Sequence, residues 1–152
     1  MKHLYLIPVL ALAAMTASAQ DAASVLNVQD MKWVDAPPSL PKGGKMAVLY
    51  GDPSKEGTFS IRAKLPAGYV VPPHFHSKDE NLTVLSGALY LGMSDTVDKK
   101  TAHTLKAGGF HHLPGKTHHY AFTKAPTELQ ISGDGPFDIT YLNAADDPRN
   151  KK

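Results

Sequence analysis

Three side chains of types that bind metal ions lie close together between Gly68 and Gly87: His74, His76 and Glu80. Residues two apart on a strand point to the same face, so His74 and His76 would project into one space. Glu80 follows a short polar link, from which the chain could return beside the two histidines. Two imidazoles and a carboxylate that converge from adjacent strands form a metal site with open positions. An isolated His-x-His pair would instead favour polar surface near a turn.

The glycines that bracket this segment make the surface explanation much weaker. The order Gly68, His74, His76, Glu80, Gly87 resembles the first motif of the cupin family, G-x5-HxH-x3-4-E-x6-G, at every fixed position. The resemblance implies an all-β, double-stranded β-helix (jelly-roll) barrel that holds a metal ion. It also implies that the two histidines and the glutamate are metal ligands.

A second stretch is similar to the second cupin motif, G-x5-PxGxxH-x3-N, but matches it less fully. Gly108 and Pro114 stand at fixed positions. His119 comes five residues after the proline, where the resemblance places the fourth ligand. Lys116 stands in place of the glycine of the motif, and Thr123 in place of its asparagine. The resemblance thus implies His119 as a metal ligand, with two departures from the motif beside it.

Four histidines crowd the region of this second motif, and they cannot all be ligands. Neighbouring residues of a strand face opposite ways, so only one of His118 and His119 points inward. Spacing from the proline selects His119, whereas a turn supplied one residue early by Gly115 would shift the register and select His118. The other two, His111 and His112, are more typical of surface residues or of groups that orient a ligand.

Three neutral imidazoles and one carboxylate around a divalent ion leave a net charge of about +1. Octahedral geometry would leave two adjacent positions for an oxyanion, an enolate, dioxygen or water. Imidazole suits zinc, copper, iron and nickel, and a carboxylate adds manganese. The prediction is one divalent transition metal ion, Fe, Mn, Zn, Ni or Cu. Because ligand histidines must be neutral, binding should weaken below about pH 6.5.

Three functions fit such a centre. The resemblance implies a metal-dependent enzyme, most readily dioxygenase-like, that acts on a small oxygenated compound; isomerase and decarboxylase chemistry are variants. The alternative is a non-enzymatic periplasmic protein that binds a metal or a small ligand, because no general acid or base is identifiable beside the ligands. A metal that only stabilises the barrel is the third. Arg62 is more typical of a solvent-facing or packing residue, but of the strand residues that could line the pocket it is the best candidate for holding a substrate carboxylate; strand parity alone does not fix its face.

Turn residues predict many short strands. The chain has 152 residues, with twelve glycines and twelve prolines, which suits one all-β domain. Thr58–Leu65 alternates apolar and polar residues, the period of a strand buried on one face. Such strands between glycine turns are typical of a sandwich or barrel. We predict one barrel over 31–145, with an edge strand at Met31–Val34, a turn at Gly133–Pro136 and a last strand at Phe137–Leu142.

Composition excludes several kinds of partner and chemistry. The formal net charge is +2, without a basic stripe, so nucleic-acid binding gains no support. The absence of cysteine excludes a disulfide, a thiolate nucleophile and a cysteine-based zinc site. A small-molecule substrate or ligand is the expected partner. The resemblance further implies a homodimer paired through sheet edges, with the segment around Trp33 covering an edge.

The first nineteen residues differ from the rest of the chain. An apolar run covers Leu4–Ala14, and Ala17-Ser18-Ala19 is an A-x-A cleavage pattern. The run is shorter than the ~20 residues that a spanning helix needs. We therefore predict a secretory signal peptide at 1–19, cleaved after Ala19, and a periplasmic or secreted mature protein. An N-terminal arm at 20–30 and a mobile tail at 146–152 would flank the barrel.

Overall fold

The computed structural model describes residues 23–151, so the predicted signal peptide lies outside the described residues. The described chain is built almost entirely of short strands, with 3-10 helices only at Val28–Asp30 and Pro148–Asn150. In chain order the strands are β1 (Val34–Asp35), β2 (Lys45–Tyr50), β3 (Gly57–Leu65), β4 (Val70–Phe75), β5 (Glu80–Ser86), β6 (Ala88–Gly92), β7 (His103–Lys106), β8 (Phe110–Leu113), β9 (His119–Thr123), β10 (Thr127–Gly135) and β11 (Thr140–Tyr141).

Two antiparallel sheets enclose the interior. One has six strands in the order β1-β2-β3-β10-β5-β8, and the other has five in the order β11-β4-β9-β6-β7. Strands far apart in sequence pair within each sheet, as β3 with β10 and β4 with β9. The prediction of an all-β jelly roll is confirmed. No helix in residues 23–151 has the length and apolar character needed to cross a membrane.

The core lies between the sheets because apolar residues alternate along the strands. Phe59 and Ile61 of β3 are buried against Leu129 and Ile131 of β10. Leu89 of β6 closes the same cluster from the opposite sheet. This alternation places the even-numbered residues of β3 on the outer face, away from the interior.

One predicted turn is instead part of a strand. β10 continues to Gly135, which pairs with Gly57 at the start of β3. Gly133 lies within this pairing, where an added Cβ would stand only 2.7 Å from the backbone oxygen of Asp79. Glycine here permits a loop to approach the strand closely rather than turning the chain. The prediction of a turn at Gly133–Pro136 is therefore wrong.

The first and last strands of the chain differ from their predicted bounds: the first begins later along the chain, and the last is shorter. The edge strand is Val34–Asp35 rather than Met31–Val34, and Trp33 lies beside it, with the Lys64 ammonium 4.0 Å from its ring centroid. The last strand is Thr140–Tyr141, because residues 137–139 leave the ladder, and Phe137 and Ile139 line the interior. In the predicted tail at 146–152, the described residues include the short 3-10 helix Pro148–Asn150. The barrel strands themselves run from Val34 to Tyr141.

Candidate metal centre

Three histidines meet on the inner face of the five-stranded sheet. His74 of β4 pairs directly with His119 of β9, and His76 follows two residues later on the same face. The ring centroids lie 4.2 Å apart for His74 and His119, 5.0 Å for His74 and His76, and 5.3 Å for His76 and His119. One ligand nitrogen from each lies within 4.8 Å of the other two. All three side chains are buried.

An irregularity in the pairing of β4 with β9 brings His74 opposite His119. The pairing of β4 with β9 shifts register between Val71 and His74. Pro72 and Pro73 occupy the gap, and proline has no N–H to give to a strand ladder. The shift ends where His74 comes opposite His119, so the prolines help to bring the two imidazoles together. An irregularity of this kind redirects the side chains that follow it.

Backbone carbonyls fix the same tautomer in all three rings. The Nδ1 atom lies 2.7 Å from the Pro72 oxygen in His74, 2.6 Å from the Asp138 oxygen in His76, and 2.9 Å from the Thr117 oxygen in His119. A carbonyl oxygen can only accept, so each Nδ1 donates its proton there. Each Nε2 then keeps its lone pair, as a metal ligand requires.

Glu80 begins β5 and brings a carboxylate to the three rings. Its Oε1 lies 3.8 Å from Nε2 of His76, and its Oε2 lies 3.6 Å from Nε2 of His119. The side chain is buried. The structure thus places all four predicted ligands in one cluster, with Glu80 beside the group of three imidazoles.

A fifth polar side chain, His111, holds this carboxylate in place. Its Nε2 lies 3.1 Å from Oε2 of Glu80 and donates to it. His111 is 8% exposed, and its Nδ1 has no hydrogen-bond partner among the described residues. Its neighbour His112 is exposed and bonds Asn81 instead. Sequence reasoning left His111 without a defined role, although the buried Leu113 two residues later on β8 indicates an inward face.

The neighbouring residues His118 and His119 also differ in burial. His119 is buried beside His74, whereas His118 is exposed and lies 2.8 Å from a carboxylate oxygen of Asp95. The turn before them explains the register, because Lys116 has φ +66°. This left-handed conformation is the one that glycine adopts at low cost, and Lys116 stands where the second motif has glycine. The turn is therefore not one residue early at Gly115.

Two hydrogen bonds from backbone N–H groups join this turn to the loop after His76. The N–H of Lys116 donates to the His76 oxygen at 2.7 Å, and the N–H of Gly115 donates to a carboxylate oxygen of Asp79 at 2.8 Å. An added Cβ at Gly115 would stand 2.6 Å from the Ser77 oxygen, so the loops lie in close contact. The segments that carry the two motifs are thereby held together at the cluster itself.

Burial favours the neutral form of His74 and of His119. It lowers the pKa of His74 from 6.5 to about 3, with further lowering from His119 and His76. Burial likewise lowers the pKa of His119, against the opposing effect of Glu80. Burial alone would raise the pKa of Glu80, but the His111 hydrogen bond and the nearby histidines outweigh it, and that pKa falls to about 2. The cluster therefore offers neutral nitrogens and an ionised carboxylate, a donor set that fits a divalent transition metal ion.

The cluster lines a cavity of about 90 Å³ between the sheets. Apolar side chains form most of the remaining wall, among them Leu82, Leu89 and Leu91. Arg62 is not part of it: its guanidinium lies 3.6 Å from Glu128 on the outer face of the six-stranded sheet. The outward direction is the one more typical of such a residue, and the alternative that Arg62 reaches inward to hold a substrate carboxylate is wrong, because Arg62 alternates with the buried residues of β3.

The fold and the cluster define a class of protein. A candidate acetylacetone dioxygenase from Methylibium petroleiphilum PM1 has a TM-score of 0.67 at 16% identity, over 87% of this chain and 89% of that chain. The polyketide cyclase RemF from Streptomyces resistomycificus has a TM-score of 0.67 at 17% identity, over 84% and 91%. An RmlC-like cupin from Shewanella frigidimarina NCIMB 400 has 0.59 at 15%, over 74% and 91%. The chain has the cupin fold, as the two motifs predict.

Within that class, residues 15–140 match the family described as "Domain of unknown function (DUF4437)". The match covers most of the chain, so this protein belongs to the DUF4437 family. No curated protein matches the sequence.

Proposed function

We propose that this protein is a metal-dependent, dioxygenase-like enzyme that acts on a small oxygenated compound. His74, His76, Glu80 and His119 would hold one divalent transition metal ion, with Fe, Mn, Zn, Ni and Cu as the candidates. The observation that carries the proposal is the tautomer common to the three histidines. A backbone carbonyl takes each Nδ1 proton, and the remaining ring nitrogens are left as ligands within reach of one ion.

Each group around the ion would have a separate task. A bound divalent ion would supply a net charge of about +1 in this set and positions for an enolate, an oxyanion or dioxygen. Glu80 brings the one negative charge, and His111 fixes the orientation of its carboxylate. The apolar walls exclude bulk water, which strengthens the electrostatic interactions inside the cavity.

Two of the similar folds support chemistry on oxygenated carbon compounds. One is named as a candidate acetylacetone dioxygenase and the other as a polyketide cyclase. Both names concern substrates with several carbonyl or hydroxyl oxygens, which can chelate a metal ion. A small diketone or a related enolisable compound is therefore the first substrate class to try.

A non-enzymatic binding protein is the second candidate. The cavity favours it in one respect: apart from His111 and the four proposed ligands, the described residues that line it are mostly apolar. Few groups are thus available to move protons during a reaction. In this alternative the metal centre would bind a small ligand, or the metal alone, without turnover.

Metal analysis followed by dioxygen uptake separates these functions. Protein purified from its native compartment should contain one transition metal ion per chain and should consume dioxygen with some member of a panel of diketones and phenolic ketones. The His119→Ala variant should lose both properties, and the matched surface variant His118→Ala should keep them. Stoichiometric metal without turnover on any compound would support the binding protein. Wild-type protein without metal would contradict both.

The predicted export of the protein is a proposal of its own. The A-x-A pattern after the short apolar run supports cleavage after Ala19 and a periplasmic or secreted mature protein. Mass spectrometry of soluble protein from the native host should find Gln20 at the amino terminus. An intact Met1 in that fraction would contradict export by this route.

The homodimer also stays a proposal, supported by exposed apolar residues near a sheet edge. Val34 of the two-residue edge strand is 56% exposed, and Val48 of the adjoining strand is 45% exposed. A second copy placed against this edge would cover both and pair with the free strand. Light scattering at micromolar concentration should give the mass of two chains. A monomeric mass would exclude a stable dimer under those conditions.

A further inference from the structure

A second cavity, of about 280 Å³, adjoins the one that holds the histidine cluster. Its walls come from the proline-rich loop at 36–41, from the inner faces of β2 and β3, and from the irregular segment at 137–139. His76, Phe137 and Ile139 line both cavities. The outer cavity is therefore continuous with the wall of the metal centre, where His76 is a proposed ligand.

Phe137 and Asp138 fix the boundary between the two cavities. The Phe137 ring stacks on His76 at a centroid distance of 4.4 Å and packs against Phe59 at 5.1 Å. The backbone oxygen of Asp138 accepts from Nδ1 of His76, while its carboxylate accepts from the N–H and the hydroxyl of Ser77, both at 2.8 Å. A molecule that contacts this boundary would touch the ring of a proposed ligand on one side and an apolar surface on the other.

The volumes limit what each cavity can hold. An enclosed apolar cavity of roughly 150 Å³ is enough for benzene. At about 90 Å³ the inner cavity has room for only a few heavy atoms. The outer cavity, at about 280 Å³, has room for a ring or a branched hydrocarbon chain. A ligand larger than a few atoms that reaches the metal centre must therefore extend into the outer cavity.

Charge narrows the class of ligand further. Besides His76, the basic residue of the outer wall is Lys45 and the acidic residue is Asp138, and each already has a partner: Lys45 pairs with Asp35 at 2.9 Å, and Asp138 binds Ser77. The wall thus offers no uncommitted charge to a ligand tail, and most of its other residues are apolar. The metal centre, at about +1, complements a single negative charge on the other end of the ligand.

We propose that the substrate of this site has two parts: a small, singly ionisable chelating head at the metal centre, and an uncharged apolar body, of aromatic-ring size, in the outer cavity. This inference rests on the proposed metal site and names the substrate class more narrowly. Binding the body would bury apolar surface against residues such as Met46, Leu40 and Phe137. Substrates with a charged or strongly hydrated tail would be rejected, because that tail would lose its water without gaining a partner.

Two diketones with the same chelating head provide the test. Acetylacetone has only methyl ends, whereas benzoylacetone carries a phenyl ring. Calorimetric titration of nickel-loaded protein, in which no turnover is needed, should show benzoylacetone binding about tenfold more tightly, because the ring adds buried apolar area. In Met46→Trp, which narrows the outer cavity, benzoylacetone should lose much more affinity than acetylacetone, so that preference should shrink to roughly twofold or less.

Val48→Trp is the matched control, because Val48 lies on the same strand but is exposed and does not line the cavity. It should preserve the preference for benzoylacetone. Should Met46→Trp fail to fold by circular dichroism, Leu40→Phe narrows the same cavity from the loop side.

Three outcomes would overturn the inference. Equal affinity for both diketones in the wild type would show that the outer cavity does not bind the apolar part of the ligand. That result would not count against the proposed metal site. If both cavity-filling variants kept the full preference for benzoylacetone, its phenyl ring would have to bind outside the outer cavity. Benzoylacetone binding that is unchanged in metal-free protein would make the outer cavity an independent hydrocarbon site. Protein that takes up no metal at all would instead refute the proposed function.

Discussion

Two pairs of neighbouring histidines, one on each sheet, can be compared directly, because in each pair one ring points into the barrel and the other lies at the surface. On β8, His111 is buried and His112 is exposed; at the start of β9, His119 is buried and His118 is exposed. The inward rings nevertheless have different partners. His119 gives Nδ1–H to the Thr117 carbonyl, whereas His111 gives Nε2–H to the Glu80 carboxylate.

The difference shows that direction alone does not make a histidine a ligand. A backbone carbonyl beside Nδ1 leaves Nε2 free to face a metal, which is the arrangement in His74, His76 and His119. In His111 the proton on Nε2 is committed to a carboxylate, so the ring supports a neighbour instead. On this comparison His119 is a ligand of the proposed ion and His111 supports Glu80, and four measurements can break or sharpen that assignment.

The largest expected effect is at His119. His119→Ala removes one of three imidazoles, and metal affinity should fall by about 100-fold or more, since loss of a supporting residue alone can cost roughly 10- to 100-fold. His118→Ala, the outward neighbour, should change affinity less than twofold. Metal content by mass spectrometry and competition with a chelator would measure both. Loss of metal in His118→Ala and retention in His119→Ala would reverse the assignment.

A smaller effect is expected at His111. His111→Ala frees the Glu80 carboxylate from its hydrogen bond without removing a proposed ligand, so metal affinity should fall by about tenfold. His112→Ala, which changes only an exposed ring, should bind metal as the wild type does. If instead His111→Ala loses metal as completely as His119→Ala, then His111 is itself a ligand.

Acid should destabilise the metal-free protein. His74 has a pKa of about 3 in the fold and 6.5 in its ordinary state, so below pH 6.5 the unfolded chain binds a proton that the folded chain does not. The free energy of unfolding should therefore fall by about 2 kcal/mol between pH 6.5 and 5 from this group. Glu80, with its pKa lowered to about 2, adds a further loss as pH falls below 4.5. Urea unfolding across this range would measure it; stability independent of pH would contradict the buried neutral ring.

The smallest effect concerns the turn that sets the register of the second pair. Lys116 has φ +66°, a conformation that costs a non-glycine residue about 1 kcal/mol. Lys116→Gly should raise the free energy of unfolding by up to that amount, whereas Lys116→Ala should not. Denaturant titration with metal absent would compare them. Equal stability of the glycine and alanine variants would mean that the turn carries no strain.

Much of this centre could be predicted because its chemistry lies in short-range spacing. The two histidines of β4 share a face through strand geometry alone, and the glycine positions fix the turns around them. His111 could not be assigned, because its contact with Glu80 depends on the register of β5 against β8, which places His111 opposite Leu82. Phe137 was predicted to lie in a strand, but it lies in irregular chain whose path depends on tertiary contacts.

The pairing of His74 with His119 has a consequence for how the site comes into being. These residues are far apart along the chain and meet only when β4 and β9 join, so the unfolded polypeptide contains no preformed site. Closing such long-range ladders is slow relative to local structure. Acquisition of the proposed metal ion would then be a late event in folding, and the identity of that ion would depend on which metals are available in the compartment where folding is completed.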